Sequence, residues 1–388
     1  MNTIPYELNV SILKLINPIR RHDFYRISKL MKIIKLFFKN IIEKEKSLWP
    51  DTIYKYDNTM IGIRMESTEI NNKDILTFSR PLIYLDFDIF FLFKQIDYLL
   101  PKSLKYLRFG TQFHQSVDNL PPNIIRLIFR FHFNQNVDKL PKKLKYLEFG
   151  HFFNQTVNHL PKTITHLNLG IVFNQDIPNL PPNLTHLILS RQFDKSVDTL
   201  PVTLIYLKFG MFFRQKINRY PPKLICLIFG CCFNNNVDNL PQSLIYLKFD
   251  THFNKPISNL PTNLSYLILG PVFKQSIDNL PIHLTHLKLH SIRKIPKLPP
   301  NLIKLTIVRV DHFNADSLPK KLQYLDIDLI TTNKINGNFP LTLSHLKLGS
   351  GFNKKIIRWC AIKYFYISKN YKYINSVPKN INVIFLKN

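Results

Sequence analysis

Apolar residues recur along most of the chain with a fixed period of twenty residues. Ten prolines stand twenty positions apart from Pro101 to Pro281, and apolar residues follow most of them at three, six, eight, twelve, sixteen and nineteen positions. Such a period is typical of a solenoid, in which each unit buries its apolar face by stacking on its neighbours. The pattern predicts a repeat protein whose binding function is spread over an extended surface.

Within each unit the pattern predicts one strand. In residues 141–160 the apolar Leu147 and Phe149 are separated by Glu148, and Tyr146 precedes them. This period of two is that of a strand with one buried face, so Tyr146 and Glu148 are expected to face outward. A β-branched residue at the sixteenth position disfavours a helix on the return side. The predicted fold class is a repeat solenoid, mainly β, with one parallel strand in each turn.

The repeat pattern also predicts the domain organisation. Leu82 belongs to a first, distorted turn, and less regular units continue after Pro299, so residues 81–388 are expected to form about sixteen twenty-residue turns. Residues 1–50 do not repeat, and their apolar spacing predicts a small head of short helices. Residues 51–80 are polar and weakly patterned, and we interpret them as a connector.

Three further columns of residues have structural interpretations. Glycine lies nine positions after the proline in seven units, where the chain leaves the strand and is expected to need a positive φ. Phenylalanine at the twelfth position, such as Phe173, is expected to stack as a spine through the core. Asparagine at the next position, such as Asn174, is expected to hydrogen-bond backbone groups of the turns. The seven glycines are Gly110, Gly150, Gly170, Gly210, Gly230, Gly270 and Gly349.

The repeated motifs resemble a known family. Leu-Pro, Leu-x-x-Leu-x-Leu/Phe-Gly and Phe-Asn-Gln-x-Val/Ile recur in this order, as in residues 160–177. This combination resembles the FNIP repeat, a relative of the leucine-rich repeat that is found in amoebae and in large DNA viruses. The resemblance implies an interaction solenoid, in a family whose molecular function is usually unassigned.

The first fifty residues carry a second resemblance. The segments Ile4-Pro5-Tyr6-Glu7-Leu8, Ile27-Ser28-Lys29 and Leu48-Trp49 follow one another in the order of an F-box, which begins with Leu-Pro-x-Glu and closes near Leu-Trp. A helical cap for the solenoid is the alternative interpretation. The F-box resemblance implies a partner, the adaptor subunit of a cullin-type ubiquitin ligase. The residues that correspond to adaptor-contacting positions are Ile4, Pro5, Leu8 and Ile12.

Tyrosine and histidine dominate the position five residues after the proline, which we call the strand-face column. Its members are expected to be exposed, and aromatic residues are enriched at protein interfaces, so we interpret the column as a client-binding surface. A cross-turn ladder that only stabilises the sheet would have the same sequence. In that case the binding face would lie at the turns around His151, Arg191 and Met211. The predicted client-binding residues are Tyr146, His166, His186, Tyr206, Tyr246 and Tyr266.

Charge leaves a second function open. The 388 residues carry a formal net charge of +28, and strongly basic proteins often bind nucleic acid or anionic surfaces. Lysines such as Lys142, Lys143 and Lys162 are, however, scattered over positions between the prolines and leucines that are expected to face solvent, where they favour solubility. Nucleic-acid binding therefore remains the less favoured alternative.

No residue set in the sequence indicates catalysis. The four cysteines lack the spacing of metal-ligand pairs, and no catalytic residue, cofactor or metal ion is expected. We also expect no signal sequence, no membrane span and a location in the cytoplasm or a host's cytoplasm. The leading hypothesis is a non-catalytic recognition protein whose head binds a ligase adaptor and whose solenoid binds an unknown client. The alternatives are a basic nucleic-acid-binding solenoid and a plain scaffold.

Overall fold

The computed structural model describes residues 55–56, 60–65, 82–87, 100–330, 337–349, 352–353, 355–356, 359 and 361–386. The predicted head and its adaptor-contacting residues lie outside these ranges. The chain forms two compact units. The first contains Met1–His151 with Leu160–Leu167, and the second contains Phe152–His159 with Asn168–Asn388.

The first unit contains a sheet that is parallel except at its start. β1 and β2 pair antiparallel, and β2 then pairs parallel with β3. Both strands lie in the segment interpreted as a connector, so sheet pairing begins before residue 81. The sequence did not reveal them because a two-residue and a six-residue strand lack a repeat period. The strands are β1 (Lys55–Tyr56), β2 (Met60–Met65), β3 (Leu82–Phe87), β4 (Tyr106–Arg108), β5 (Arg126–Ile128) and β6 (Tyr146–Glu148).

The second unit is parallel from its first full strand to its last. β7 (His166–Asn168) has residues in both units. The pairings from β8 to β18 are all parallel between consecutive strands. These strands are β8 (His186–Ile188), β9 (Tyr206–Lys208), β10 (Cys226–Ile228), β11 (Tyr246–Lys248), β12 (Tyr266–Ile268), β13 (His286–Lys294), β14 (Lys304–His312), β15 (Tyr324–Ile330), β16 (His345–Leu348), β17 (Tyr364–Ile367) and β18 (Asn382–Phe385).

The predicted fold class is confirmed. One strand occupies each turn from β3 to β18, and in the regular turns partners are twenty residues apart, as with Cys226 and Tyr246. Only two short 3-10 helices, Ala315–Ser317 and Ile374–Ser376, occur among the described residues. Each repeat proline opens a tight turn that the leucine or isoleucine three residues later closes, as in the 3.2 Å bond from Leu204 N to Pro201 O. Proline therefore marks the start of each twenty-residue repeat.

The phenylalanine spine is also confirmed. Phe173, Phe193 and Phe213 are fully buried and stack with ring centroids 6.3 Å apart. In the first unit Phe113 and Phe133 stack at 5.8 Å. The strand leucines are buried beside them, so each regular turn contributes a similar apolar set to the core. Because identical side chains repeat, each ring packs on the ring of the next turn.

The asparagine column forms the predicted hydrogen bonds. The Asn174 backbone N–H donates to Asn154 Oδ1 at 2.9 Å, and the Asp194 N–H donates to Asn174 Oδ1 at 3.0 Å. Asp194 continues the column, since its Oδ1 accepts from the Arg214 N–H at 2.8 Å. A carboxylate therefore replaces the amide without loss of the bond.

The glycine column has a different explanation from the predicted one. Of its seven members only Gly170 has a positive φ, 74°. A Cβ at Gly210 would overlap the Ser190 carbonyl oxygen, and a Cβ at Gly150 would overlap that of Arg130. The prediction of positive φ is therefore wrong for the other six. Where the neighbouring backbone comes this close, glycine is needed because only a hydrogen fits.

Candidate functional site

The strand-face column forms ladders of stacked rings within each unit. In the first unit Tyr146 stacks on His166 with ring centroids 5.9 Å apart, and the Arg126 guanidinium lies 4.0 Å above the Tyr146 ring. In the second unit His186 stacks on Tyr206 at 5.8 Å. The ladder continues at Tyr246, whose ring centroid lies 6.1 Å from that of Tyr266. The ring centroids of Tyr266 and His286 are 4.1 Å apart. Strand pairing places each ring over the next.

The expectation that the column is exposed is wrong. Tyr146 is 4% exposed and Tyr206 is 5% exposed, and Tyr246 and Tyr266 are also buried, while His166 and His186 are half-buried. The stacked rings cover one another, and the Tyr146 hydroxyl donates to Glu148 Oε2 at 2.7 Å. This is the geometry of the stabilising ladder. The client-binding role of these six residues stays a prediction.

Burial keeps the ladder of the second unit neutral. Burial lowers the pKa of His186 to about 4. Burial and the charge of Lys304 lower the pKa of His286 to about 3. Burial raises the pKa of the Tyr206, Tyr246 and Tyr266 hydroxyls above their usual value. At pH 7 these groups carry no charge, so the ladder offers a partner neither ions nor much ring surface.

The turns that follow the strands are the more accessible surface. We call their residues in the second unit, ten and eleven positions after each proline, the turn ridge. Phe212 is 40% exposed and Val272 is 38% exposed on this ridge. In the first unit the equivalent turn residue Phe131 is 42% exposed, and its ring centroid lies 4.6 Å from that of His151. The turn ridge comprises Ile171–Val172, Arg191–Gln192, Met211–Phe212, Cys231–Cys232, Thr251–His252 and Pro271–Val272.

Backbone hydrogen bonds hold the turn ridge in place. The Phe212 N–H donates to the Arg191 carbonyl oxygen at 3.0 Å, and the Cys232 N–H donates to that of Met211 at 2.9 Å. Arg191 also places its guanidinium 5.9 Å from the Phe212 ring and its Nε 3.2 Å from the Met211 sulfur. Aromatic, methionine and arginine side chains on a fixed backbone are typical of interface centres.

Sequence reasoning placed the ridge second, as the alternative around His151, Arg191 and Met211. A stronger signal was available. Turn positions normally hold polar residues or glycine, whereas Met211, Phe212 and Val272 are apolar. Apolar residues at turn positions that the core does not need are exposed, and this signal would have identified the turn ridge from the sequence.

A cavity of about 470 Å³ opens in the second unit where the repeat changes length. Paired residues are twenty apart up to β13, but His286 pairs with Lys304, eighteen residues later. Arg293 lies twenty residues after Phe273, where the preceding turns have phenylalanine, so the stack of rings that includes Phe253 and Phe273 is interrupted in this turn. The cavity is lined by the apolar Phe273, Ile277, Leu289 and Ile292 and by the cationic Lys274, Arg293, Lys294 and Arg309. The sequence pattern did not predict it.

Comparisons with known proteins agree with this geometry. The FNIP Repeat family model matches four overlapping segments, residues 116–152, 133–172, 153–192 and 173–212. The crystal structure of CroV588, described as a novel circular LRR protein, is similar with a TM-score of 0.63 and 29% identity, over 84% of this chain and 59% of that one. The chain is a leucine-rich-repeat-like solenoid. It spans less than two thirds of the length of CroV588.

Two bacterial structures are more distant. YopM from Yersinia enterocolitica WA-314 is 20% identical, with a TM-score of 0.45 over 84% of this chain and 73% of that one. The functional domain of InlJ from Listeria monocytogenes is 14% identical, with a TM-score of 0.49 over 80% of this chain and 68% of that one. No curated protein matches the chain. Among the described residues, no helix has the length and apolar character needed to cross a bilayer.

Proposed function

We propose that the protein is a non-catalytic interaction solenoid that binds a protein partner through the turn ridge. The observation that carries this proposal is the exposure of Phe212 and Val272 on turns fixed by backbone hydrogen bonds. A fixed backbone lowers the entropy cost of binding, and exposed apolar side chains gain free energy when a partner covers them. The buried tyrosines of the strand-face column have less surface to offer.

The finer proposal is a substrate-recognition adaptor of a cullin-type ubiquitin ligase. Its support is the F-box resemblance of residues 1–50, in which Ile4, Pro5, Leu8 and Ile12 correspond to adaptor-contacting positions. The solenoid would then hold a client protein for ubiquitylation. Three free thiols, Cys226, Cys231 and Cys232, are consistent with the intracellular location that this role requires.

Affinity purification of the full chain from a host-cell extract tests both levels of the proposal. The adaptor role predicts recovery of ligase subunits together with a client protein. Pro5→Ala combined with Leu8→Ala should abolish recovery of the ligase subunits and leave the client bound and the melting temperature unchanged. Recovery of a client without ligase subunits would support the plain scaffold and contradict the adaptor role.

A second candidate function is nucleic-acid binding. The net charge of +28 and the four cationic side chains at the cavity favour it. Two carboxylates, Asp278 and Asp311, also line this cavity, and Asp311 accepts from Arg309 Nε at 3.0 Å, which weakens the local positive potential. Binding to phosphate would fall steeply with salt. Recovered nucleic acid that is lost between about 50 and 200 mM salt would favour this function over the protein partner, because several phosphate contacts lose roughly a thousandfold or more in affinity over that range.

A further inference from the structure

Three soft metal-ligand groups meet on the turn ridge of the second unit. Cys231, Cys232 and His252 each offer one ligand atom, and these atoms all lie within 4.8 Å of one another. Cys231 Sγ lies 3.3 Å from His252 Nδ1. The sequence predicts no metal site, because His252 is twenty residues from Cys232 and the usual short ligand spacings are missing. The solenoid period removes that separation by placing them on consecutive turns.

The backbone holds these turns in register. The His252 N–H donates to the Cys231 carbonyl oxygen, and the Cys232 N–H donates to the Met211 carbonyl oxygen, both at 2.9 Å. Two adjacent thiols therefore start from one turn and the imidazole from the next. All three side chains are half-buried or exposed, so an ion from solvent has access to them.

We propose that Cys231, Cys232 and His252 bind one thiophilic d10 metal ion, Zn²⁺ or Cu(I), through two thiolates and one imidazole. These are the ligand types that such ions prefer. Ligand bonds of about 2.3 Å to sulfur and about 2.0 Å to nitrogen place sulfur and nitrogen about 3.5 Å apart in a tetrahedral site. The observed 3.3 Å between Cys231 Sγ and His252 Nδ1 is close to that separation. His252 Nδ1 also lies 2.9 Å from the Cys231 carbonyl oxygen, and a bound ion replaces this contact.

The Cys232 thiol must move closer to the other two ligands when the ion binds. Cys232 lies within the same 4.8 Å cluster, which is about 1 Å wider than two sulfurs on one zinc ion. Metal ions bind the thiolate form of cysteine, so the Cys232 thiol releases its proton when the ion binds. Three protein ligands leave one position of a tetrahedral ion open to water or to a group from a partner.

Metal titration of the full chain under reducing conditions tests this site. Zn²⁺ and Cu(I) are titrated separately in competition with a chromophoric chelator, and Co²⁺ serves as a spectroscopic substitute for Zn²⁺. We expect about one equivalent of ion per chain and a thiolate-to-cobalt charge-transfer band. Cys231→Ser, Cys232→Ser and His252→Ala should each weaken binding at least tenfold, and either serine variant should halve the charge-transfer band.

Matched controls separate the site from general thiol or imidazole binding. Cys226→Ser removes a third thiol of the same unit, and His290→Ala removes a half-buried imidazole. Both variants should bind the ion like the wild type. Alkylation of the wild type provides a readout that does not depend on variant folding, because the bound ion should protect both Cys231 and Cys232. The proposal would be overturned if the chain bound less than about a fifth of an equivalent of ion, or if the ion left Cys231 and Cys232 open to alkylation. It would also be overturned if a variant without both cysteines still bound the ion.

Discussion

Phe173 lies between Phe153 and Phe193 in the core of the second unit, and all three rings are fully buried. The centroid separations are 6.0 and 6.3 Å. Its neighbours are held in place by the turns on either side, so they cannot close the space that a smaller side chain would leave. The cost of truncation therefore contains both lost burial and a cavity.

Phe173→Ala should destabilise the second unit by roughly 3 to 5 kcal/mol. Lys208→Ala, which shortens a half-exposed side chain on β9, should change stability by no more than about 0.5 kcal/mol. Urea unfolding of both variants measures the difference. Equal unfolding midpoints would contradict the assignment of inward and outward columns.

His286 is a single residue that links stability to pH. It stacks on Tyr266, its Nδ1 lies 2.9 Å from the Thr285 hydroxyl, and burial with nearby Lys304 lowers its pKa to about 3. The unfolded chain binds a proton near pH 6.5 that the folded chain does not accept. The stability from neutral His286 is therefore fully present above pH 6.5 and falls as the pH decreases toward 3.

His286→Tyr should make the protein less sensitive to acid. Tyrosine occupies this position in several other turns, including Tyr246 and Tyr266, and stays neutral. Between pH 7 and 5 the wild type should lose about 2 kcal/mol more than the variant. Melting temperatures at the two pH values provide the measurement. A variant whose acid sensitivity equals that of the wild type would show that His286 is not a buried neutral group.

At the scale of the element, the turns of the second unit are joined by side chains that accept backbone hydrogen bonds. Asn254 Oδ1 accepts from the Lys274 N–H at 2.9 Å, and the Asn254 N–H donates to Asn234 Oδ1 at the same distance. Asp194 makes the same bond to the next turn. The column therefore depends on an oxygen acceptor and not on the amide as such.

Asn254→Ala should cost about 0.5 to 1.5 kcal/mol, because the exposed Lys274 N–H loses its side-chain acceptor. Asn254→Asp keeps the oxygen and faces no acidic neighbour in the column, so it should retain most of the stability. Unfolding midpoints of the two variants distinguish the roles. Equal destabilisation by alanine and aspartate would mean that the bond to Lys274 contributes nothing.

At the scale of the whole molecule, the twenty-residue period was sufficient to predict the strands from β3 onward, the spine and the asparagine column. Each of these follows from a local pattern that recurs in most of the regular turns. The burial of the strand-face column could not be predicted from one repeat, because Tyr146 and Tyr206 are covered by the rings of neighbouring turns. Gly210 illustrates the same limit, since the approach of the Ser190 backbone is a property of the stacked turns.

The cavity and the thiol cluster show what a regular pattern conceals. The cavity exists because one turn is shorter and carries Arg293 where the preceding turn has Phe273. The thiol cluster exists because Cys232 and His252 share a position in successive turns. Both arise from residues of neighbouring turns, so neither can be recognised in the sequence of a single repeat.

The dissociation constant of the recovered protein partner is the most direct test of the turn ridge as the binding face. Phe212→Ala combined with Val272→Ala removes two exposed anchors, and each anchor truncation can cost about 2 kcal/mol, roughly thirtyfold in affinity. Val202→Ala combined with Ile282→Ala is the matched control, because these side chains are 52% and 58% exposed but lie beside the prolines.

We predict that the ridge variant binds the partner at least thirtyfold more weakly than the wild type. The control variant should bind with nearly the wild-type affinity, and both variants should melt at nearly the wild-type temperature. Tyr146→Ala combined with Tyr206→Ala, measured on the same partner, should lower the melting temperature more than the affinity. Unchanged affinity of the ridge variant, with a large loss in the tyrosine variant, would contradict the account and place the binding face on the strand-face column.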